Sequence, residues 1–489
     1  MSLSLKTDSS LLLKSGSELS AMIRKREISS RETVELHIER IRKVNPEINA
    51  VIIELFDSAL KQADAADEKV RTADDINSLP PFLGVPFTVK EFLSIKGMRH
   101  TGGLKSRIYH IADQTATAVE RVISSGAVPV GITNVSELGM WMESYNLIYG
   151  RTNNAYASDR TSGGSSGGEG AVIGAGGVPF GLGSDIGGSV RIPAFFNGVF
   201  GHKPTGGLIP STGHFPRASG DASRVMTVGP LARSAQDLFS LVSIMAGPDG
   251  KDHYTLNNFH LEEIKNINWK KIRIFSIEEN GAQYVSDELK KAQRKLLSDF
   301  RHLGAETEII PPFPEFRDSF LIWSSVLSEK NTSSFREMLG NGKKISPVLE
   351  LLKWTFGSSD HMLPCILLSL IEDLPGHIPE YSKHFLGQCF SLKNSLENLL
   401  GRDGLLVYPS YSVPAPLHNE PLFRLFDWVY TGIFNALEFP STQIPLGLGK
   451  QGLPLGVQIV SVRENDALTM AAAAESERMG NRWVMPDRF

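Results

Sequence analysis

The stretch from residue 162 to residue 205 constrains the fold more than any other part of the chain. It reads SGGSSGGEGAVIGAGGVPFGLGSDIGGSVRIPAFFNGVFGHKPT, with glycines and hydroxyl side chains at a density that helices and regular strands do not tolerate. A flexible linker has a comparable glycine content. A solvated linker would not carry the core-type residues between these glycines, namely Val172, Ile173, Val178, Phe180, Leu182, Ile186, Val190, Ile192, Phe195 and Phe196. The stretch therefore predicts backbone held close to a small molecule, with serines directed at it.

A lysine motif and two serine motifs follow one another along the chain. GVPFTVKE stands at residues 84–91, GGSSGG at residues 163–168 and GSDIGGSVR at residues 183–191, and Ser189 follows Ser165 by 24 positions. On these motifs the sequence resembles the amidase signature family of serine hydrolases, and the resemblance extends over nearly the whole chain. The phrases PAFFNG at residues 193–198 and GHKPT at residues 201–205 are most similar to the fatty-acid amide hydrolase 2 branch of that family.

The resemblance implies roles for three side chains. Ser189 would be the nucleophile, Ser165 would carry protons while held by a cis peptide bond, and Lys90 would be the base that starts the proton relay. Burial lets a lysine act as a base, since desolvation disfavours the charged ammonium form. Lys90 ends an apolar segment, which favours partial burial, although a lysine at the end of a strand commonly reaches solvent.

Consecutive backbone amides in the second serine motif offer the donors that a tetrahedral intermediate requires. The sequence and the resemblance both predict an oxyanion hole formed by Ile186, Gly187, Gly188 and Ser189. Asp185 and Arg191 flank this run, and we expect them to brace it as a buried pair or through hydrogen bonds. We expect Ser166 to support the relay with a further hydrogen bond.

Other chemistries find less support in the sequence. A Ser-His-Asp site is an alternative because twelve histidines are present, but the G-x-S-x-G elbow is absent around both serines. Nothing in the sequence pairs a serine with any of the histidines near the motifs, which are His100, His202 and His214. The spacing of a phosphate-binding loop and the clustered ligands of a metal site are also missing. The sequence therefore predicts neither a cofactor nor a metal ion.

Alternating strand and helix patterns indicate the fold class. Residues 85–89, 115–125 and 127–132 form one strand–helix–strand pattern, and residues 272–277, 286–302 and 306–310 form another. The resemblance implies a single α/β domain with a large mixed, mostly parallel sheet of about eleven strands and helices on both faces. We expect the domain to span residues 1–489, with a signature core at about residues 84–235.

One segment, at about residues 345–389, is unusually apolar for an insertion in such an enzyme. It includes Trp354, Phe356, Ile366, Leu367, Leu368, Leu370 and Ile371. Core packing is the simplest interpretation. The functional interpretation is a cap that lines an acyl-chain pocket, with Ile366 and Leu370 as candidate lining residues, or that touches a membrane surface.

Composition limits the partners and the compartment. A net charge of −4 gives no support to nucleic-acid binding. The resemblance implies a small-molecule amide as the partner, and its branch favours a lipophilic one. The two cysteines, Cys365 and Cys389, form no C-x-x-C pattern and indicate a reducing compartment. Residues 1–20 lack a signal-peptide core, and no segment approaches the ~18 apolar residues of a membrane span. We therefore expect a cytoplasmic protein, or a peripheral one on an intracellular membrane, and leave a homodimer open.

Four functional hypotheses are compatible with these observations. The favoured hypothesis is hydrolysis of fatty-acid amides, such as N-acylethanolamines or primary fatty amides, through an acyl-enzyme. Two alternatives lie within the same family. One is an amidotransferase component that works together with partner subunits, and the other is a short-chain or aryl amidase. A non-catalytic binding protein is a further alternative, against which the presence of Lys90, Ser165 and Ser189 argues.

Overall fold

Eleven strands form one sheet through the middle of the molecule, and two short strands pair separately. The computed structural model describes residues 9–218, 220–259, 261–330, 334–371 and 379–489. The strands are β1 (Val51–Glu54), β2 (Pro86–Lys90), β3 (Val128–Thr133), β4 (Tyr145–Asn146), β5 (Gly150–Arg151), β6 (Phe180–Asp185), β7 (Phe200–Lys203), β8 (Thr227–Ala232), β9 (Arg273–Ser276), β10 (Glu306–Ile309), β11 (Gly404–Tyr408), β12 (Ser441–Leu448) and β13 (Pro454–Val460). The order across the large sheet is β1-β3-β2-β6-β8-β7-β12-β13-β11-β9-β10.

The large sheet is mixed, as expected. Parallel pairing joins β3, β2 and β6 near one edge and β11, β9 and β10 at the other. The pairs between these two groups, and the pair of β1 with β3, are antiparallel. Parallel pairing therefore prevails only in the two flanks, where a helix can cross over between neighbouring strands. These flanks contain the two strand–helix–strand units that the sequence predicts.

Helices cover both faces of the sheet. They are α1 (Gly16–Arg24), α2 (Ser30–Ile48), α3 (Phe56–Thr72), α4 (Thr117–Ser124), α5 (Gly167–Gly174), α6 (Arg191–Phe196), α7 (Gln236–Met245), α8 (Asp287–His302), α9 (Ser319–Lys330), α10 (Phe335–Leu339), α11 (Pro347–Thr355), α12 (Leu363–Ile371), α13 (Pro379–Leu400), α14 (Val429–Ala436) and α15 (Asp466–Arg478). Strand β11 illustrates the layering, since successive side chains of a strand point to opposite faces. Leu405 and Val407 pack in a hydrophobic cluster with α8 and α15, whereas Leu406 and Tyr408 pack in another with α9, α13 and α14. The result is a single α/β domain.

The apolar segment contributes α11, α12 and part of α13. Residues 372–378 of the predicted cap lie outside the described residues. The side chain of Ile366 on α12 is fully buried, whereas Val348, Leu352 and Phe356 on or next to α11 are exposed. Within the described part of the chain, no helix combines the length and the apolar character needed to cross a membrane.

Candidate active site

Lys90 is the last residue of β2, and its side chain lies between the two serine motifs. Because β2 pairs with β3 on one side and with β6 on the other, Lys90 is fully buried, which is more than the partial burial that its apolar strand predicts. Its Nζ lies 2.8 Å from Ser165 Oγ. It also lies 3.0 Å from both the carbonyl oxygen and the hydroxyl oxygen of Ser184. The amine is thus held among three oxygen atoms rather than reaching solvent.

The environment of Lys90 favours the neutral amine. Burial lowers the pKa of Lys90 well below its usual value of 10.5, and the carboxyl groups of Asp185 and Glu169 offset this only in part. Glu169 is itself buried, which raises its pKa to about 8, although Thr88 and Thr133 donate hydrogen bonds to its carboxyl group. A neutral amine in contact with a hydroxyl group is a competent proton acceptor.

Ser165 stands in a loop whose backbone is closely packed. A cis peptide bond joins Gly164 to Ser165, as the resemblance implies. A side chain at Gly164 does not fit, because its Cβ would lie 2.5 Å from the carbonyl oxygen of Trp141. Ser144 Oγ donates to the carbonyl oxygen of Ser165 at 3.1 Å and accepts from the amide of Gly167 at 2.8 Å. These contacts fix the loop with the Ser165 hydroxyl against Lys90.

Ser189 lies in the turn between β6 and α6. Its carbonyl oxygen accepts from the backbone amide of Ser166 at 3.3 Å, which ties the second serine motif to the first. The Ser166 hydroxyl donates to the carbonyl oxygen of Ser184 at 3.3 Å. The Lys90 amine contacts the same oxygen, so Ser166 is connected to the lysine through Ser184. Ser189 is 8 % exposed, and it lines both cavities of the site.

Asp185 and Arg191 form the buried pair that the sequence predicts. Arg191 Nε and Nη2 each donate to the Asp185 carboxylate at 3.0 Å, and Asn435 Nδ2 donates to it as well. Burial alone would raise the pKa of Asp185, but the charge and hydrogen bonds of Arg191 lower the pKa to a net value well below the usual one. The carboxylate therefore stays ionised and holds the turn through its hydrogen bonds to the backbone.

The predicted oxyanion hole requires one correction. The amide of Gly188 donates to Asp185 Oδ1 at 2.7 Å, so it is directed into the brace and not toward a substrate. The amides of Ile186, Gly187 and Ser189 have no hydrogen-bond acceptor among the described residues. These three are the remaining candidates. Gly188 has a φ of 131°, a conformation that a residue with a Cβ rarely adopts, so its contribution is to the shape of the turn.

Two cavities meet at Ser189. The larger, of about 140 Å³, is predominantly apolar and is lined by Gly139, Met140, Trp141, Met142, Gly164, Ile186, Gly187, Gly188, Ser189, Ile192, Phe320, Trp323, Leu368, Leu425, Phe426 and Trp428. The smaller, of about 60 Å³, is lined by Phe92, Leu138, Gly139, Met140, Ser165, Ser184, Ile186, Ser189, His214, Pro216, Arg217, Ala218, Met226 and Met338. The site therefore separates an apolar space from a smaller space that contacts the Lys90 network.

The apolar segment reaches the larger cavity through a different residue from those expected. Leu368 of α12 lines that cavity, whereas Ile366 and Leu370 line neither cavity at Ser189. With 3.6 residues per turn, Ile366 and Leu370 share one side of the helix and Leu368 lies on the opposite side. The apolar composition of α12 gave no indication of which side faces the site. The side chain of Ile371 lies outside the described residues.

A buried carboxylate holds α12 against the site. Glu137 accepts from His361 Nδ1 and from the amide of Met362, both at 2.8 Å. Glu137 precedes Gly139 and Met140, which line both cavities. The start of α12 is thus connected directly to the wall of the site.

Sequence reasoning missed two residues that contact the lysine network. His214 Nε2 lies 2.8 Å from Ser184 Oγ, which in turn contacts Lys90. Ser184 lies inside the second serine motif and could have been chosen on that ground. His214 comes from a loop 30 positions later and belongs to no recognisable motif. Within the described residues, no histidine hydrogen-bonds to Ser165 or Ser189, so the histidine-triad alternative has no geometric support. The same residues contain no group of His, Cys, Asp or Glu side chains arranged to hold a metal ion.

Comparisons with known proteins cover nearly the whole chain. Residues 32–470 match the Amidase family. The chain is 41 % identical to fatty-acid amide hydrolase 2-A of Danio rerio, over 98 % of this chain and 91 % of that protein. It is 31 % identical to an acylamidase of Rhodococcus erythropolis, over 96 % of each of the two chains. A solved structure of fatty acid amide hydrolase shares the fold, with a TM-score of 0.80 at 21 % identity over 98 % of this chain and 87 % of that one.

Proposed function

The chain belongs to the amidase family of amide-hydrolysing enzymes, and on this basis we propose that it hydrolyses lipophilic acyl amides by means of Ser189, Ser165 and Lys90. The observation that carries the proposal is the contact of 2.8 Å between the buried amine of Lys90 and the Ser165 hydroxyl. Ser189 lies beside this pair, where the two cavities meet. This arrangement supports the proposed roles of Lys90 as base, Ser165 as proton carrier and Ser189 as nucleophile.

The proposed reaction begins with proton transfer. Lys90 accepts the hydroxyl proton of Ser165, Ser165 accepts that of Ser189, and Ser189 Oγ attacks the substrate carbonyl carbon. The free amides of Ile186, Gly187 and Ser189 stabilise the negative charge on the carbonyl oxygen. Collapse of this intermediate breaks the C–N bond, and the leaving nitrogen receives the proton that Lys90 had stored. Water then attacks the acyl-enzyme by the same route and releases the acid.

The larger cavity supports a lipophilic acyl group. Five aromatic side chains line it: Phe320 and Trp323 on α9, Phe426 and Trp428 just before α14, and Trp141. A long acyl chain gains about 0.8 kcal/mol for each methylene group that it buries against such a surface. The relatives named fatty-acid amide hydrolase 2 share about 40 % of this sequence, which supports the same substrate class here.

We also infer peripheral contact with a lipid surface. The exposed fractions of Val348, Leu352 and Phe356 are 61 %, 55 % and 83 %, and these residues belong to the same apolar segment as the cavity residue Leu368. A lipid surface at this position would deliver lipophilic amides near the site. Sedimentation with phosphatidylcholine vesicles tests this inference: Phe356→Ser should reduce the bound fraction, and equal binding of both proteins would contradict it.

A graded substrate panel tests the proposed function. The purified chain, without any partner protein, is incubated with amides from acetamide through an anilide to long-chain primary amides and N-acylethanolamines, and the acid product is measured. We expect product mainly from the long-chain amides. Product from short or aryl amides alone would favour the short-chain or aryl amidase. An inactive chain would contradict the proposal and would favour the amidotransferase alternative, which requires partner proteins for activity.

A further inference from the structure

We propose that His214 is a positioning residue that acts through Ser184 to direct the lone pair of Lys90 toward Ser165. This inference rests on the proposed function, since it assigns a cause to the basicity of Lys90 in that reaction. His214 comes from the loop after β7, outside all three sequence motifs. Its side chain nevertheless lines the smaller cavity with Ser165, Ser184 and Ser189.

The two ring nitrogens of His214 have different partners, and these partners determine which nitrogen carries the hydrogen. Nδ1 lies 2.6 Å from the carbonyl oxygen of Pro216. A carbonyl oxygen only accepts, so Nδ1 must donate. Burial lowers the pKa of His214 to about 3, so the ring is neutral and has a single N–H. Nε2 is therefore an acceptor, and Ser184 Oγ, at 2.8 Å, donates to it.

This assignment fixes the hydrogens of Lys90 in turn. A neutral amine has two N–H donors and one lone pair. The Ser184 hydroxyl donates its hydrogen to His214, so Ser184 Oγ can only accept from Lys90, at 3.0 Å. The carbonyl oxygen of Ser184 accepts the second N–H of Lys90, also at 3.0 Å. Both N–H groups of Lys90 are then used. Its lone pair is left for the third neighbour, the hydroxyl of Ser165 at 2.8 Å.

Without an acceptor at position 214, the Ser184 hydroxyl becomes free to turn toward Lys90. It would then donate to the lysine lone pair in competition with Ser165. Two consequences follow. The neutral lysine is partly held in an unproductive arrangement, which lowers the rate at alkaline pH. The protonated lysine also loses a polarised acceptor, which lowers the pKa of its ammonium group and moves the acid limb of the activity profile to lower pH.

The other titratable and charged groups around this network can be named. Lys90 is faced by the carboxyl groups of Asp185 and Glu169. His214 is faced by Lys90 and by His100, and Arg217 lines the smaller cavity with it. His100 is a buried histidine whose Nε2 contacts the carbonyl oxygen of Phe92 at 3.0 Å, with no hydrogen bond to Lys90 or Ser184 among the described residues. It is therefore a matched control.

The test measures the rate of labelling of Ser189 by a fluorophosphonate probe across the neutral and alkaline pH range. We expect His214→Leu to lower the alkaline plateau roughly 5- to 30-fold and to move the acid limb down by about half to one pH unit. His214→Gln keeps an acceptor oxygen and should recover the acid limb and most of the rate. In a Ser184→Ala background, His214→Leu should have little further effect, because both residues act through one chain.

Several outcomes would overturn the inference. These are an unmoved acid limb in His214→Leu, equal defects in the Leu and Gln variants, additive effects with Ser184→Ala, or the same limb shift in His100→Leu. If His214→Leu does not fold, the inference is tested by comparing His214→Gln with Ser184→Ala. Of these two variants, only Ser184→Ala should move the acid limb of the pH profile. A folded wild-type protein that the probe does not label at Ser189 would instead contradict the proposed function, and this inference with it.

Discussion

Lys90 Nζ lies 2.8 Å from Ser165 Oγ, although the two residues are 75 positions apart in the chain. The contact depends on the parallel pairing of β2 with β6, in which Val89 is opposite Leu182. This pairing brings the end of the lysine strand beside the second serine motif. The amide of Ser166 bonds to the carbonyl oxygen of Ser189 and draws the first serine motif to the same point. Substitutions of Ser189, Lys90 and Asp185 should therefore separate the roles of the proposed nucleophile, the proposed base and the buried carboxylate that holds the turn.

Replacement of Ser189 by alanine should abolish both hydrolysis and fluorophosphonate labelling. In the proposed reaction Ser189 forms the acyl-enzyme, so we expect a loss of several orders of magnitude in kcat/KM with an unchanged melting temperature. The control is Ser240→Ala on α7, which should be labelled like the wild type. Normal labelling of the Ser189→Ala protein would assign the nucleophile to another residue.

Replacement of Lys90 by methionine should remove activity and increase stability. The pKa of Lys90 is lowered in the folded protein. As pH falls below the usual lysine value of 10.5, the unfolded chain therefore takes up a proton that the folded chain does not. This proton uptake stabilises the unfolded chain and so destabilises the fold. Methionine removes this cost, and we expect a gain on the order of 1 kcal/mol at neutral pH that disappears at strongly alkaline pH. Denaturant unfolding at the two pH values measures it. An equal gain at both would show that the ionisation of Lys90 is not its cause.

Activity of the wild type should fall as pH decreases. The reaction requires neutral Lys90, and protonation at low pH removes the lone pair that accepts the Ser165 proton. We therefore expect kcat/KM to rise with pH along a single limb and to approach a plateau at alkaline pH. In Lys90→Met any residual rate should lose this limb. A residual rate with the wild-type pH profile would remove the lysine from the mechanism.

Replacement of Asp185 by asparagine should strongly destabilise the protein. It leaves the buried Arg191 guanidinium without its ionised partner, and it replaces one of the two oxygens that accept from Arg191 and from the turn amides with an NH2 group that cannot accept. Breaking a buried pair from one side costs about 3–5 kcal/mol. Guanidinium unfolding measures the loss, and Glu279→Gln, which breaks a partly exposed pair with Lys290, should shift the midpoint far less. Similar midpoints for the two variants would show that the Asp185 brace contributes little to stability.

Replacement of Leu368 by threonine should change chain-length preference. Leu368 lines the larger cavity, and a polar, smaller side chain there removes contacts to a long acyl chain, so we expect KM to rise roughly 10-fold more for long amides than for short ones. Ile366→Thr on the opposite side of α12 is the matched control. It should lower the melting temperature and leave the preference unchanged. The reverse pattern would show that Ile366, and not Leu368, contacts the acyl chain.

The candidate catalytic side chains could be chosen from the sequence because their local motifs carry them. Glycines beside Ser165 and Ser189 permit backbone that other residues cannot adopt, and the apolar run before Lys90 predicts a buried strand that ends in a lysine. The alternation of strands and helices likewise predicted a sheet covered by helices, and the sheet is mixed and has eleven strands, as the resemblance implies. Each of these inferences depends on residues that are close together in the chain.

Tertiary structure alone decided the rest, since it depends on contacts between distant residues. The amide of Gly188 is used by Asp185 and not by a substrate, which a run of consecutive amides does not reveal. Leu368, and not Ile366 or Leu370, faces the cavity, because packing sets the rotation of a helix that is apolar on several sides. His214 reaches Ser184 from a loop without a motif, and only the fold closes that distance. Local sequence determines what a segment can form, and packing between segments determines which atoms meet.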